Sequence, residues 1–357
     1  MRHIAIFGII GAQYADIIRS RFADKSDWQI DVWVCNDDVA ARDRLIKNCE
    51  VAVISPDFLL TQGNFAALMA APKLKIFIQP WVGTDWIDPA FLPKGLQVCN
   101  AGGHAAPIAE FVFGAMLEHA LELRNLHADM QAGRWHRCGR NNTTQALHGD
   151  LAGKVLGIIG YGEIGQAVAS RAAAFDMQIC AIARRQREAT PAPLSWIGRQ
   201  ADLPKLLGEA DYIVLTCDLN EETEAMIDKA AFGQMKPSAY LVNVARGEVV
   251  EEDALYAALQ KRQIGGAALD TWYRYPADVK TPEADPDRGG AFQGSKYDFL
   301  ALDNVLLTPH CAAHTHRADY SRYENIADTL AQYADGKQPT RFVLSGTGTN
   351  LDGFVMP

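Results

Sequence analysis

A chain of 357 residues, 48% of them hydrophobic and 22% charged, has enough apolar material for two hydrophobic cores, and a single core stops growing near about 250–300 residues. The net charge of −9 argues against a nucleic-acid partner, which would need a clustered Lys/Arg surface. No apolar run approaches the roughly 20 residues that span a bilayer, and seven cysteines without a CxxC pair are typical of free thiols in a reducing compartment. We therefore expect a two-domain, cytoplasmic protein without a metal site.

Short apolar runs alternate with segments of helical period along the chain, which predicts βαβ units and parallel sheets. The apolar run at residues 1–8 lacks a basic flank and a small-residue cleavage site, so it predicts a first strand rather than a signal peptide. Two series of strands are predicted, and together they indicate an α/β fold with two sheets. The first series is 4–7, 30–34, 51–54, 74–78 and 96–99, and the second is 155–159, 178–183, 212–215, 240–244, 267–269 and 305–307.

Two long segments of helical period are predicted as helices. Apolar residues recur at helical spacing from Ala105 to Arg134, which predicts one long helix that joins the two domains. A second helix is predicted from Thr315 to Ala334 and would return the chain to the first domain. The stretch 276–298 is rich in Pro, Gly and Asp and has no periodicity, which is typical of a functional or mobile loop.

The segment 160–165 has the pattern GxGxxG. It follows a predicted strand and opens an Ala-rich helical segment that leads to another strand, which is the context of a dinucleotide-binding turn. The first glycine permits a tight turn, the second lets a pyrophosphate approach the backbone, and the third lets helix and strand pack closely. The helix N-terminus would face the phosphates. The alternative is a glycine-rich turn that binds no ligand.

The residues after the second strand of this unit indicate which nicotinamide cofactor is bound. An acidic residue there binds the ribose 2′-hydroxyl of NAD, whereas an arginine favours the 2′-phosphate of NADP. Ala183 stands 18 residues after Gly165 and is followed by Arg184 and Arg185, whose guanidinium groups can bind a phosphate. We therefore predict NADPH in preference to NADH. The alternative is a solvated basic pair.

Three later segments complete a set of ordered motifs: LVNVARGE at 241–248, ALDTW at 268–272 and TPH at 308–310. With the glycine fingerprint, they resemble the D-isomer-specific 2-hydroxyacid dehydrogenases, and the resemblance covers nearly the whole chain. It implies an α/β fold of two lobes, each a doubly wound parallel sheet. Residues 1–101 and 311–357 would form a flavodoxin-like substrate-binding domain, and residues 102–310 a Rossmann NAD(P)-binding domain. A homodimer and a small 2-keto or 2-hydroxy acid substrate are also implied.

The resemblance also assigns roles to residues. Arg246 would bind the substrate carboxylate and polarise the 2-carbonyl, and His310 would donate a proton to the carbonyl oxygen. Taken alone, the first could be a structural ion-pair residue and the second a plain loop histidine. The backbone of Val82 and Gly83 and the side chain of His104 would bind substrate. The cofactor-binding residues would be Gly160, Gly162, Glu163, Ile164, Gly165, Arg184, Arg185, Val244, Ala245 and Asp270, the last near the nicotinamide carboxamide.

Tyr275 marks a departure from the family pattern. The family places a glutamate before a proline here, where it orients the catalytic histidine, but this chain has Tyr275 before Pro276. We count Tyr275 as a third catalytic residue and expect the proton transfer to differ in detail. Formate dehydrogenases of the same superfamily have a neutral glutamine at this point, so loss of the charge is compatible with activity. A carboxylate of the following loop could reach His310 instead; the candidates are Asp278, Glu283 and Asp285.

The leading prediction is an NADPH-dependent 2-keto acid reductase, of the glyoxylate or hydroxypyruvate type or for a bulkier keto acid. One alternative is a formate-dehydrogenase-like hydride abstraction, which needs no acid but would expect an asparagine where His104 lies. A second alternative is a nucleotide-sensing scaffold like the C-terminal-binding-protein corepressors. The presence of both Arg246 and His310 argues against that scaffold.

Overall fold

The structure of the protein, a computed structural model, describes residues 1–34, 38–59, 63–135, 148–185, 187–275 and 294–348. The chain divides into two compact units, each with its own sheet. The first unit consists of Met1–His104 with Thr315–Pro357, and the second of Ala105–His314. The predicted divisions, after residues 101 and 310, lie a few residues before these bounds.

The elements are numbered along the chain. The strands are β1 (Arg2–Phe7), β2 (Trp28–Trp33), β3 (Val51–Ile54), β4 (Ile76–Ile78), β5 (Gln97–Cys99), β6 (Val155–Ile159), β7 (Gln178–Ile182), β8 (Trp196–Gly198), β9 (Tyr212–Leu215), β10 (Tyr240–Asn243), β11 (Gly266–Leu269), β12 (Val305–Leu307) and β13 (Phe342–Ser345). The α-helices are α1 (Ile9–Gln13), α2 (Ala15–Arg21), α3 (Val39–Asn48), α4 (Pro56–Leu59), α5 (Asn64–Met69), α6 (Ala105–Leu121), α7 (Leu123–Gln131), α8 (Glu163–Ala174), α9 (Leu203–Glu209), α10 (Lys229–Gln234), α11 (Glu252–Gln260) and α12 (His316–Ala334). Short 3₁₀ helices cover Pro89–Phe91, Gln200–Asp202, Gly247–Val249 and Phe299–Ala301.

The sheet of the first unit has the order β13-β5-β4-β3-β1-β2, and every pairing except β13 with β5 is parallel. Its parallel part has the strand order of flavodoxin-like folds. Both faces are covered, which is why β3 is a continuous buried apolar run. One face packs against α2 and α12 through Ile18 and Tyr323, and the other packs against α4 and α5 through Phe58 and Leu68.

The sheet of the second unit has the order β12-β11-β10-β9-β6-β7-β8, and all its pairings are parallel. Its strands from β8 to β11 follow the Rossmann order, and β12 extends the sheet by one strand. One face packs against α6 and α8, with Val112 and Val168 in the core, and the other face packs against α9 and α11 through Leu206 and Leu255. The predicted α/β fold of two parallel-dominated sheets is therefore confirmed.

The prediction of one long helix from Ala105 to Arg134 is wrong. The helix stops at Leu121, and Glu122 adopts a left-handed backbone with φ 52° before α7 begins. Both new ends have partners: the Ala120 carbonyl accepts from the Gly149 N–H (2.8 Å), and the Glu118 carboxylate accepts from the Arg124 N–H (3.2 Å). These contacts replace the hydrogen bonds that a continuous helix would have made.

The strands of both predicted series are present, and their observed ends lie within two residues of the predicted ones. β8 and β13 were not predicted from the sequence. The helix predicted from Thr315 is confirmed as α12, whose N-cap Thr315 accepts from the Ala318 N–H. The loop 276–298, with Asp278, Glu283 and Asp285, lies outside the described residues up to residue 293. The cysteines of the described ranges are all free thiols.

Candidate active site

The predicted motifs of the second unit lie at one edge of its sheet. Because all its strands are parallel, their carboxyl ends meet at that edge, which is where α/β proteins bind ligands. Each predicted motif reaches the end of a strand: Gly160 follows β6, Ala183 follows β7, Val244 follows β10, Asp270 follows β11 and Thr308 follows β12. Thr216, which belongs to no predicted motif, follows β9 at the same edge.

The three glycines of the fingerprint have different reasons to be glycine. Gly160 has φ 103°, and a Cβ there would lie 2.5 Å from the Cys217 nitrogen; a Cβ on Gly165 would collide with the carbonyl oxygen of Gly160. Gly162 has an ordinary φ of −83°, and apart from its chain neighbours no atom of the described residues lies within 4 Å of the place its Cβ would occupy. The fold therefore requires the first and third glycines, whereas the open space over Gly162 suits a ligand that approaches the backbone.

A cavity of about 640 Å³ lies over this turn. The Thr216 hydroxyl donates to the Gly160 carbonyl (2.6 Å) and holds the turn against the end of β9. Ile164, a predicted cofactor residue, instead packs against the core, and Gly165 serves the close approach of helix and strand. The cavity is lined by Ile159, Gly160, Tyr161, Gly162, Glu163, Gln166, Ile182, Ala183, Arg184, Arg185, Arg187, Gln200, Thr216, Cys217, Asp218, Asn220, Glu222, Thr223 and Met226.

Three arginines reach this cavity from the segment after β7. Arg184 and Arg185 are exposed, and within the described ranges neither forms a hydrogen bond or an ion pair. Sequence reasoning missed Arg187, whose Nη2 donates to the Tyr161 carbonyl (3.2 Å) while its guanidinium lies 5.2 Å from the centre of the Tyr161 ring. Arg187 thereby joins the arginine segment to the glycine turn. Its position two residues after the predicted pair was the available signal.

Arg246 follows β10, and a buried side chain fixes its backbone. Asn243, 1% exposed, accepts from the Ala245 N–H (3.0 Å) and donates to the Arg246 carbonyl (2.8 Å). The Arg246 side chain is half-buried, and its Nη1 donates to the Ala245 carbonyl (2.8 Å). Val244 and Ala245, predicted to bind cofactor, are buried, and they are not among the residues that line the cavity.

His310 lies two residues after Thr308 in a left-handed backbone conformation, φ 54°. The buried carboxylate of Asp270 holds the surrounding segment, because it accepts from the Thr308 hydroxyl (2.7 Å), the Cys311 N–H (2.9 Å) and the Ala312 N–H (3.0 Å). This support offsets the strain of a non-glycine residue at positive φ. Asp270 therefore positions the His310 segment, and its expected contact with a nicotinamide carboxamide stays a prediction.

Tyr275 lies beside His310, with ring centres 5.5 Å apart and planes inclined by 45°. Its hydroxyl accepts from the Trp272 N–H (3.3 Å), and the ring is 49% exposed. Partial burial raises the pKa of Tyr275, with Glu248 and Asp270 acting in the same direction, whereas the Trp272 N–H and Arg246 oppose the shift. The hydroxyl is therefore uncharged at neutral pH.

The predicted substrate residues of the first unit follow β4 and β5. The Val82 carbonyl accepts from Asn100 Nδ2 (2.9 Å), and the Gly83 carbonyl accepts from Gln79 Nε2 (2.5 Å). The backbone N–H groups of Val82 and Gly83 donate to no residue that the structure describes. They are free to bind an anion. Sequence reasoning missed Gln79 and Asn100, which belong to no motif.

His104 is 6% exposed, and its Nδ1 has no hydrogen-bond partner among the described residues. Burial lowers the pKa of His104 to about 4; the positive charges of Arg322 and Arg341 lower it further, and the backbone of Gly102 opposes them. The imidazole of His104 is therefore neutral near pH 7 and does not act as an acid at that pH.

Over the described ranges, no helix is long and apolar enough to cross a membrane. In the same ranges no three His, Cys, Asp or Glu side chains gather where they could hold a metal ion.

A glycine turn, a basic segment beside it, and an arginine and a histidine along the same sheet edge are the features of a dinucleotide-dependent oxidoreductase. Sequence comparison identifies the family. The profile of the D-isomer specific 2-hydroxyacid dehydrogenase NAD-binding domain matches residues 113–312. A glyoxylate reductase of Korarchaeum cryptofilum is 35% identical over 301 residues, which cover 84% of this chain and 83% of that protein. The chain therefore belongs to the D-isomer-specific 2-hydroxyacid dehydrogenase family and is an NAD(P)-dependent oxidoreductase acting on 2-hydroxy acids.

Two further comparisons agree with this assignment. A hydroxypyruvate reductase of Thermotoga maritima is 35% identical over 252 residues, which cover 70% of this chain and 74% of that protein. A D-isomer specific 2-hydroxyacid dehydrogenase of Xanthobacter autotrophicus Py2, solved in complex with NADPH and MES, has 22% identity and a TM-score of 0.72, and the alignment covers 95% of this chain and 98% of that one. At this identity the second comparison supports the fold.

Proposed function

We propose that this enzyme reduces a small 2-keto acid with NADPH and that glyoxylate or hydroxypyruvate is its preferred kind of substrate. The observation that carries the proposal is that Arg246, His310 and the glycine turn under the cavity all follow strands at the carboxyl edge of the second unit's sheet. The glyoxylate and hydroxypyruvate reductases among its relatives support the substrate class.

The residues of the cavity fit a nicotinamide dinucleotide. The open space over Gly162 and the N-terminus of α8 suit a pyrophosphate, since helix N-termini present free N–H groups and a partial positive charge. Arg184, Arg185 and Arg187 would hold the 2′-phosphate that distinguishes NADPH from NADH. When bound, the reduced nicotinamide supplies a hydride.

Arg246 and His310 would act on the substrate. The planar guanidinium of Arg246 suits a carboxylate and the neighbouring 2-carbonyl oxygen, and the free N–H groups of Val82 and Gly83 offer further donors for the carboxylate. The His310 imidazolium would give its proton to the carbonyl oxygen. Tyr275 would hold the imidazole in place without adding a charge, because its hydroxyl remains protonated.

A formate-dehydrogenase-like reaction is the second candidate, and the uncharged Tyr275 beside His310 is the observation in its favour. His104, where that chemistry expects an asparagine, is the observation against it. A nucleotide-binding scaffold without catalysis is the third candidate. Arg246 argues against a scaffold. The buried side chain of Asn243 fixes the Arg246 backbone at the carboxyl edge of the sheet, as expected for a residue that binds substrate.

One set of assays separates the three candidates. The absorbance of NADPH and NADH is followed with glyoxylate, hydroxypyruvate and bulkier 2-keto acids, and the reverse direction is tried with formate and NADP⁺. We expect turnover of a 2-keto acid with a higher kcat/KM for NADPH. NADP⁺ reduction by formate would favour the second candidate, and tight NADPH binding without turnover of any substrate would favour the third.

We also propose that the enzyme is a homodimer, which rests on the family resemblance alone. The molar mass in solution, measured by light scattering, tests it: a mass near the 39.1 kDa of one chain would contradict the proposal.

A further inference from the structure

Three successive backbone carbonyls in the segment after β4 all accept hydrogen bonds from within the first unit. Gln79 Nε2 donates to the carbonyls of Trp81 (3.3 Å) and Gly83 (2.5 Å), and Asn100 Nδ2 donates to that of Val82 (2.9 Å). The Ala101 N–H adds a second bond to the Trp81 carbonyl (3.3 Å). The direction in which these peptide groups face is therefore set by two amide side chains and one backbone amide.

Both the nitrogen and the oxygen of the Gln79 side-chain amide are engaged. It is 0% exposed, both of its side-chain N–H groups are used, and its Oε1 accepts from the Trp86 indole N–H (3.0 Å). The reverse orientation of the amide would place an acceptor against two carbonyls and a donor against an N–H, so the network allows one arrangement. A buried amide whose two N–H groups and oxygen are all engaged is a rigid support.

Fixing these carbonyls also fixes the backbone N–H groups on the other side of the same peptide units. When a carbonyl is held toward the core, the N–H of the following residue points away from it, because the peptide unit is planar and trans. The N–H groups of Val82 and Gly83 are the ones that donate to no described residue. Consecutive N–H groups that are held in this way form a concave site for an anion.

We propose that Gln79 and Asn100 are positioning residues for the substrate carboxylate: they hold the carbonyls of residues 81–83 so that the N–H groups of Val82 and Gly83 are presented to that carboxylate. Neither side chain touches substrate or cofactor in this proposal. It rests on the proposed function, which makes the ligand a 2-keto carboxylate. The network determines affinity for the carboxylate and takes no part in the hydride and proton transfers.

The test uses substitutions that keep the shape of the side chain and remove its donor. Gln79→Glu keeps the acceptor for Trp86 and loses the amide N–H groups, and Asn100→Asp makes the same change opposite the Val82 carbonyl. We expect the KM for the keto acid and the inhibition constant of oxalate, a dicarboxylate that cannot be reduced, to rise together by about tenfold or more. The kcat at saturating keto acid and the Kd of NADPH should stay close to native, because ground-state and transition-state binding of the carboxylate are lost equally.

The matched control is Asn304→Asp. Asn304 Nδ2 also donates to a backbone carbonyl, that of Leu259 (3.2 Å). Asn304 immediately precedes β12, so this bond lies at the amino edge of the second unit's sheet and away from the carboxyl edge that carries the candidate site. This variant should keep the native KM and oxalate inhibition constant. If Gln79→Glu does not fold, Gln79→Met, which has similar length and no donor, replaces it in the comparison. Thermal unfolding of each variant establishes that it is folded.

Two outcomes would overturn the proposal. The first is native KM and oxalate affinity in folded variants at both positions. The second is an equal loss of kcat and NADPH affinity, which would mean general structural damage. The proposed function is contradicted by a different result, namely that the native enzyme reduces no 2-keto acid. Oxalate binding measured by thermal shift then still decides: weaker binding to Gln79→Glu than to native supports the network, and no binding to native rejects it.

Discussion

The carboxyl edges of the two sheets are built from different chemistry. In the second unit the edge carries charged or titratable side chains, Arg246, Asp270 and His310, each directly after a strand or within three residues of one. In the first unit the groups available to an anion are the backbone N–H groups of Val82 and Gly83, and neutral amides hold them in place. In the proposed function, the second edge therefore acts through side-chain identity and the first through backbone orientation.

The largest effect is expected from Arg246→Lys. The substitution keeps the positive charge but loses the planar pair of donors that suits a carboxylate. We expect kcat/KM for the keto acid to fall by roughly 100-fold, since two charge-assisted hydrogen bonds are disturbed. Steady-state kinetics with NADPH in excess measures the effect, and NADPH binding followed by fluorescence serves as the control. A lysine variant with nearly native kcat/KM would show that Arg246 does not bind the carboxylate.

The difference between the two sheet edges also explains which residues of the candidate site could be predicted from the sequence. The placement of the glycine fingerprint, Arg246 and His310 at the sheet edge was predictable because each follows an apolar strand, and their residue types have distinctive chemistry. Gln79 and Asn100 were not predictable, because a neutral amide acquires its role only from the carbonyls that the fold brings to it. The support that Asp270 gives to the His310 segment likewise depends on residues 38 to 42 positions away.

The misjudged elements of the fold have similar causes. Glu122 favours helices by propensity, so nothing local predicts its left-handed conformation, and the contacts that stabilise the break come from Glu118 and Gly149. β8 has three partly exposed residues, and β13 is a mostly exposed antiparallel edge strand. Neither has the continuous buried apolar run by which the central parallel strands were recognised.

The next largest effect is expected at the cofactor cavity. Arg184→Ala should lower the ratio of kcat/KM for NADPH to that for NADH by about 10-fold or more, because one charge-assisted contact with the 2′-phosphate is lost. Arg187→Ala should lower the same ratio and also weaken NADH binding, since Arg187 holds the glycine turn at Tyr161. Kinetics with both cofactors in the native enzyme and both variants measures this. Equal or better use of NADH by the native enzyme would refute the NADPH preference.

A smaller effect, confined to alkaline pH, is expected from Tyr275→Glu. Reduction needs a protonated imidazole, so kcat/KM falls as the pH rises. A carboxylate beside an imidazole stabilises the charged form and raises its pKa, typically by about 1–3 units, whereas the protonated Tyr275 hydroxyl brings no charge. The alkaline limb of kcat/KM should therefore move to higher pH by about one unit or more in Tyr275→Glu, and should not move in Tyr275→Gln. If the alkaline limb does not move in Tyr275→Glu, either another group already stabilises the protonated His310 imidazole or His310 does not donate the proton.

The smallest effect on catalysis is expected at His104, the buried histidine of the first unit. Its pKa of about 4, against an ordinary value of 6.5, means that the unfolded chain binds a proton between these two pH values that the folded chain does not. The free energy of unfolding therefore falls as the pH is lowered from about 6.5 to about 4, by at most about 3 kcal/mol from this group. His104→Asn should flatten that pH dependence in urea unfolding, while the alkaline limb of kcat/KM stays where it is in the native enzyme. A shifted alkaline limb in this variant would show that a titrating group of the first unit takes part in proton transfer. The contrast between charged side chains at one edge and backbone N–H groups at the other would then no longer hold.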